Sequence, residues 1–210
     1  MPTIKLNPLI TDIRNRMGNT VFSKWKGTNY VRGFVPPSNP NTEAQESVRN
    51  AFSRLVEVWK NLGVVVRESW DAYSEGKNMS GYNAFIQKNF ESMKADLALM
   101  ISTPMAEEPP VDFAATAGTT PGDIVCSFQE PTDKGKEITL FTQKRANDNG
   151  KGQAVMRRHE QTGAASPLTL SGLEPGADYH VYAVITDGPY DVARTVSASV
   201  AASVKAGASA

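Results

Sequence analysis

Cysteine occurs once in this 210-residue chain, at Cys126, so no disulfide can close within it and no cysteine-rich metal cluster can be built. Histidine occurs twice, at His159 and His180, without the paired spacing that a metal site uses. No stretch approaches the roughly 20 consecutive apolar residues of a membrane-crossing helix. An excess of either charge is missing too: 22 Lys and Arg offset 22 Asp and Glu, so no global field favours nucleic acid or an acidic membrane surface. The opening Met1-Pro2-Thr3-Ile4-Lys5 lacks the basic start and apolar run of a secretion signal, which leads to the expectation of assembly in the host cytoplasm. No phosphate-binding glycine loop, dinucleotide fingerprint or Gly-x-Ser-x-Gly elbow is present. Glu68 with Asp71, and the pair Glu107-Glu108, read as solvated acids on a helix and a linker. The expectation is a protein without enzymatic activity, cofactor or metal, with Cys126 a small buried hydrophobe in a strand.

What the chain does contain is 40% hydrophobic and 21% charged residues, the balance of a folded protein rather than a disordered one. Its charge is unevenly spread. Residues 1–40 carry Lys5, Arg14, Arg16, Lys24, Lys26 and Arg32 against Asp12 alone, a net +5, which leaves −5 for the remainder.

Three textures follow one another. Gly18 to Trp25 and Tyr30 to Val35 are runs of aromatic and β-branched residues joined by Lys26-Gly27-Thr28-Asn29, the pattern of a hairpin. Alternation puts Val21 and Trp25 on one face and Phe22 and Lys24 on the other. Pro36, Pro37 and Pro40 end the pairing and leave an extended arm. Thr42-Glu-Ala-Gln45 then fits a capping box. Behind it Val48, Phe52, Leu55, Val56, Trp59 and Leu62 recur at helical spacing, with a stop at Asn61-Leu62-Gly63. A second helix carries Val66, Trp70 and Tyr73. A third, from Ser80, carries Tyr82, Phe85, Ile86, Phe90, Met93, Leu97 and Met100.

Ser102 to Pro110 is a linker by its prolines and acids. Beyond it the period changes to two, with strands predicted at Val111–Ala117, Asp123–Phe128, Glu137–Lys144, Gln153–His159, Pro167–Leu170, Asp178–Thr186 and Ala193–Val200. Seven short strands at near-regular spacing imply a two-sheet sandwich. The predicted organisation is an α+β multidomain chain: a hairpin arm with a small helical bundle over 1–101, a linker over 102–110, a β-sandwich over 111–202 and a flexible tail over 203–210.

Two stretches resemble known families. Leu173-x-Pro175-Gly176-x-x-Tyr179, followed by alternating apolar residues, resembles a fibronectin type III domain over roughly residues 108–202. The resemblance implies that the Tyr179 hydroxyl bonds back to the backbone at a sheet-crossing corner. The second-strand tryptophan usual in that family is missing, and Phe128 stands nearby. Loops Glu130–Lys136 and Asp187–Asp191 would share one end of such a module, which makes Asp187 and Tyr190 candidate contacts. The string Gly18-Asn19-x-Val21, Trp25-Lys26-Gly27, Tyr30-Val31-Arg32, Asn39-Pro40-x-Thr42-x-x-Gln45 resembles a group of uncharacterised bacterial and bacteriophage proteins. That likeness implies a context, a phage or prophage, rather than an activity.

Together these readings predict a structural or assembly protein of a virion, such as a capsid decoration or a head–tail or tail accessory. It would dock by Phe22, Trp25, Tyr30, Arg32 and Phe34 onto copies of itself or other particle proteins and display the sandwich. Trp25 and Tyr30 serve equally well as core beneath the chain's own helices. The competing readings are adhesion to a carbohydrate or host protein through the sandwich loops, and nucleic-acid binding by the basic front. The last is disfavoured because alternation divides its cations between two faces.

Overall fold

The computed structural model describes residues 3–5, 13–103, 108–133, 135–145, 156–159 and 165–208. The chain divides into two compact units, Met1–Asn41 and Thr42–Ala210.

The first unit is an antiparallel sheet of β1 (Asn15–Met17), β2 (Thr20–Trp25) and β3 (Thr28–Gly33) in that spatial order. The predicted hairpin is therefore part of a three-stranded meander. Trp25 pairs with Thr28, so the turn is only Lys26-Gly27, with φ of 45° and 84°. Two left-handed residues give the turn whose twist matches that of the flanking strands, and glycine takes the second position at little cost. Gly18, at φ 59°, helps turn β1 into β2, where Met17 pairs with Thr20. Thr3 adds an isolated bridge to Tyr30, and the Ile4 amide donates to the Asn29 carbonyl at 3.1 Å. β1 escaped the sequence reading because Asn15-Arg16-Met17 has little β-propensity.

The second unit opens with three helices: α1 (Glu43–Asn61), α2 (Val64–Ser74) and α3 (Gly81–Lys94). Thr42 and Ser80 cap α1 and α3, each accepting from the amide three residues on. Leu55, Val58, Val66, Trp70 and Phe85 are fully buried where the helices meet. Val48 and Phe52, expected in the same stripe, are each 45% exposed. α3 stops at Lys94, so Leu97 and Met100 lie beyond it and are exposed rather than part of its apolar side.

Among the described residues seven further strands follow: β4 (Ala114–Ala117), β5 (Ile124–Ser127), β6 (Glu137–Lys144), β7 (Met156–His159), β8 (Leu168–Leu170), β9 (Asp178–Thr186) and β10 (Val200–Lys205). They form a sheet of order β4-β5-β8 and a sheet of order β10-β9-β6-β7. Ile124, Cys126, Leu140, Leu170, Val181 and Ala183 fill the space between the sheets. The last strand begins where the predicted one, Ala193–Val200, ends; residues 193–199 instead follow an irregular path, held by a Thr186–Val196 bridge and the Ser197 amide on the Ile185 carbonyl. The predicted tail is anchored at its start. Lys205 ends β10, Ala206 is buried, and the Gly207 amide donates to Asp123 at 3.0 Å. The first part of the predicted Gln153–His159 strand, and residues 209–210, lie outside the described residues.

The boundary expected at 102–110 does not separate two cores. Phe141, Met156, Tyr182, Val184, Tyr190 and Val196 join one apolar cluster with Leu55, Val58, Trp70 and Phe85. The helices therefore cover one face of the four-stranded sheet, and the three-stranded sheet covers the other. β9 is buried on both sides, with Tyr182 and Val184 toward the helices and Val181 and Ala183 toward the facing sheet. Residues 99–103 run as a strap within this unit, buried except at Met100. The Trp70 indole donates to the Ile101 carbonyl at 2.6 Å, and Asn89 exchanges bonds with both backbone groups of Met100. The Leu99 amide donates to the Tyr182 hydroxyl, and Ser102 Oγ to the Ser197 carbonyl. Ser102 and Thr103, assigned to a linker by composition, are buried; residues 104–107 lie outside the described residues.

Candidate functional site

Among the described residues of Met1–Asn41, no side chain is buried. A sheet of three short strands without enclosed apolar surface gains by covering itself with something else. Its register sorts the predicted interface residues onto two faces. Arg16 and Arg32 both flank Val21, forming one row across the three strands. Two residues along comes Ser23–Tyr30, and two further Trp25–Thr28, all on the same face. The Arg16 guanidinium sits 3.6 Å from the Phe34 ring centroid, and its Nε donates to the Gly18 carbonyl at 2.7 Å, so its position is fixed. At the far end the Lys26 ammonium lies 5.9 Å from the Trp25 ring. Trp25 is 69% exposed and, with Thr3, Lys26, Thr28 and Tyr30, lines a concavity of about 590 Å³.

Phe22 is on the opposite face, directly across from Asn15 and Val31. Met17, paired with Thr20, shares this face and is 70% exposed. The sheet thus has an aromatic face bordered by cations and a second face on which Phe22, Val31 and Met17 lie among Asn15, Thr20, Lys24 and Asn29. Sequence alternation identified the faces; the addition of Arg16 to the aromatic one depended on β1, which it had missed.

The sandwich loops are placed differently from the expectation. Tyr190 is buried, packs edge-on against Phe141 with ring centroids 5.4 Å apart, and accepts from the Gly63 amide at 2.9 Å. Burial pushes its hydroxyl pKa up to about 12. Asp187 accepts from the amides of Arg194 and Thr195, which hold its carboxyl below the usual value. Tyr190 is thus committed to the fold, whereas Asp187 holds the loop through Oδ1 and remains exposed. Tyr179 does take the corner role: the Glu174 amide donates to its hydroxyl at 3.1 Å.

The remaining reactive residue types are also engaged. Burial pushes the Cys126 thiol up to about 12, so it carries no thiolate near neutrality. His180 faces the Asp96 carbonyl at 3.1 Å through Nε2 and Ser203 Oγ at 2.8 Å through Nδ1. A carbonyl only accepts, so Nε2 holds the proton and Nδ1 accepts from the serine. The Asp96 carboxylate in turn ion-pairs Arg145 at 3.2 Å and Arg54 at 3.6 Å. His159 meets Thr142 Oγ1 at 2.8 Å. Burial holds both imidazoles below their ordinary pKa. Among the described residues, no three His, Cys, Asp or Glu side chains gather as metal ligands, and no helix is long and apolar enough to cross a membrane.

The fold class is α+β: among the described residues, three helices with several antiparallel sheets, two of them forming a sandwich. Residues 12–98 match a family of unknown function (DUF6266), a span that takes in the N-terminal sheet and all three helices. Solved structures similar to the chain include a fibronectin III domain of the human collagen alpha-1(XX) chain, at 21% identity over 52% of this chain and 93% of that one, with a TM-score of 0.40. Another is the FN5 domain of Drosophila Lar, at 15% identity over 50% of this chain and 100% of that one, with a TM-score of 0.38. No curated protein matches the chain.

Proposed function

We propose that the protein is a non-enzymatic assembly component that docks by the Phe22-bearing face of its N-terminal sheet onto further copies of itself within a larger particle. The observation that carries this reading is the sheet itself, with no buried side chain among its described residues and Met17 exposed beside Phe22. Burying such a face against an equivalent one supplies the apolar contact that three strands cannot supply internally. A bacteriophage virion is the particle we favour, on the resemblance of the Gly18–Gln45 motif string to bacterial and phage proteins. The engaged states of Cys126, His159 and His180 support a non-catalytic role. The same argument counts against adhesion through Tyr190, whose buried hydroxyl already bonds Gly63.

Native mass and sedimentation across a concentration series test the reading. The parent protein is expected to form an oligomer, and Val31→Glu, which places a charge beside Phe22, to dissociate it without changing the melting temperature of the second unit. A parent protein that remains a monomer at every concentration overturns the proposal.

A further inference from the structure

The opposite face of the N-terminal sheet has a composition that self-association through Phe22 does not use. It presents Arg16 and Arg32 in one row, Tyr30 in the next, Trp25 in the third and Lys26 at the turn. We propose that this face binds single-stranded nucleic acid, with bases stacked on Trp25 and Tyr30 and phosphates held by Arg16, Arg32 and Lys26. The inference is independent of the assembly reading, because it uses the other face.

Three features of the structure carry it. The first is register: the cations read as divided between faces are largely collected on one, since β1 brings Arg16 opposite Val21 beside Arg32. Lys24 alone of the strand cations lies on the Phe22 face. The second is spacing. Tyr30 and Trp25 are diagonal neighbours across two strands, roughly 7 Å apart, which gives each ring room for its own base. The cations lie one row beyond each ring, where the connecting phosphates of a strand laid along the face would fall. The third is preorganisation and access. Arg16 is fixed by Phe34 and the Gly18 carbonyl, and Trp25 stands 69% exposed beside the concavity of about 590 Å³. A net charge of +5 on residues 1–40 complements a polyanion, whereas the −5 of the remainder confines that attraction to this unit. Aromatic stacking flanked by Arg and Lys is the chemistry of sequence-tolerant single-strand binding, and no base-specific contact is needed.

Fluorescence anisotropy of the full chain with a labelled oligothymidylate of about 15 nucleotides tests the inference. Binding should weaken by about 20-fold between roughly 50 and 200 mM salt, the response expected for three phosphates on a single strand. Trp25→Ala should weaken binding by at least about fivefold, as should Tyr30→Ala, while Tyr30→Phe, which keeps the ring, should stay within about twofold. Arg32→Gln should reduce both the affinity and the salt slope, and Lys24→Gln, on the other face, neither. Circular dichroism of each variant checks that the sheet persists, and Tyr30→Phe guards the result against loss of fold in Tyr30→Ala. The inference is overturned if the parent protein fails to bind at the lower salt. It is equally overturned if Trp25→Ala binds as the parent does, or if base-free polyphosphate competes as well as the oligonucleotide.

Discussion

Replacing Gly63 with alanine tests whether the loop after β9 is part of the folded core. Gly63 has φ −70° and ψ 170°, a conformation any residue adopts, so alanine meets no backbone strain there. Its Cβ would, however, stand 2.3 Å from Tyr190 Cε1 and 2.8 Å from Cζ, distances no packed carbon tolerates. Tyr190 must then leave its place, giving up the 2.9 Å bond from the Gly63 amide and its edge contact with Phe141. The lost hydrogen bond is worth about 1 kcal/mol and the aromatic pair a further 0.5 to 1.5, before lost apolar burial is counted. Against this, alanine restricts the unfolded chain by about 0.4 to 1 kcal/mol in favour of folding. These terms leave a net destabilisation of about 0.5 to 2 kcal/mol, to which lost apolar burial adds. For a unit of this size that corresponds to a fall of at least roughly 1 to 8 °C in melting temperature. Thermal unfolding followed by circular dichroism measures it, and a double-mutant cycle isolates the cause. In a Tyr190→Ala background the obstruction is gone, so Gly63→Ala should become neutral or slightly stabilising. If the two changes instead add within about 0.5 kcal/mol, the residues do not meet and the loop is not packed as described.

Three further outcomes follow from the same geometry. Trp25→Ala should leave the melting temperature of the Thr42–Ala210 unit within about 1 °C, because it removes a largely exposed side chain, and differential scanning calorimetry reads this directly. His159 and His180 have folded-state pKa values held below 6.5, so the unfolded chain takes up their protons first; stability should be full above about pH 6.5 and decline below it, and His180→Gln should flatten that slope in a pH series of urea melts. Cys126 should resist a thiol reagent at pH 8 in the native protein and react promptly after denaturation, given its burial and raised pKa; labelling at equal rates in both states would contradict the packing between the two sheets.

Local chemistry made part of this fold legible. The Thr42 cap, the stop near Asn61, the start at Ser80 and the Tyr179 corner each depend on atoms within five residues, so short motifs suffice to place them. The link Lys26–Asn29 likewise announced a turn, which the pairing of Trp25 with Thr28 narrows to Lys26-Gly27. The sharing of one core by helices and sandwich was not read, because it rests on contacts between distant residues such as Leu99 with Tyr182 and Gly63 with Tyr190. A signal was nevertheless present. Val181-Tyr-Ala-Val184 is apolar without a break, the pattern of a strand buried on both faces, whereas an ordinary outer sheet alternates. The strap at residues 99–103 left no such trace. Its Ser102 and Thr103 signal exposure by composition; Ser102 is buried with its amide and hydroxyl met by Ser199 and Ser197, and the Ile101 backbone is met by Ser199 and Trp70. Of the candidate site, alternation placed Trp25 opposite Phe22, but the charge of its face depended on Arg16. That residue's row is set by pairing in β1, a strand with almost no local propensity.

The burial of β9 also constrains what the sandwich can do. In an isolated sandwich the outer face of β10-β9-β6-β7 would be available to partners; here Phe141, Tyr182 and Val184 on that face close the core of the helices. The helices have no substitute for these side chains, since Trp70, Val58 and Leu55 are fully buried within the same cluster. A cut near residue 108 would therefore strip apolar surface from both fragments and leave the Trp70 indole bonded to a strap that had lost its Ser197 and Ser199 anchors. Polar repair is no easier. His180 and the Asp96 ion pairs link α1, the segment after α3 and the sheet, and removing the sheet would leave Arg54 nearly buried beside an acid that had lost Arg145. Within the second unit the surface open to partners therefore excludes the sheet face that the helices occupy. The docking proposed for the first unit uses side chains that, among its described residues, are not buried.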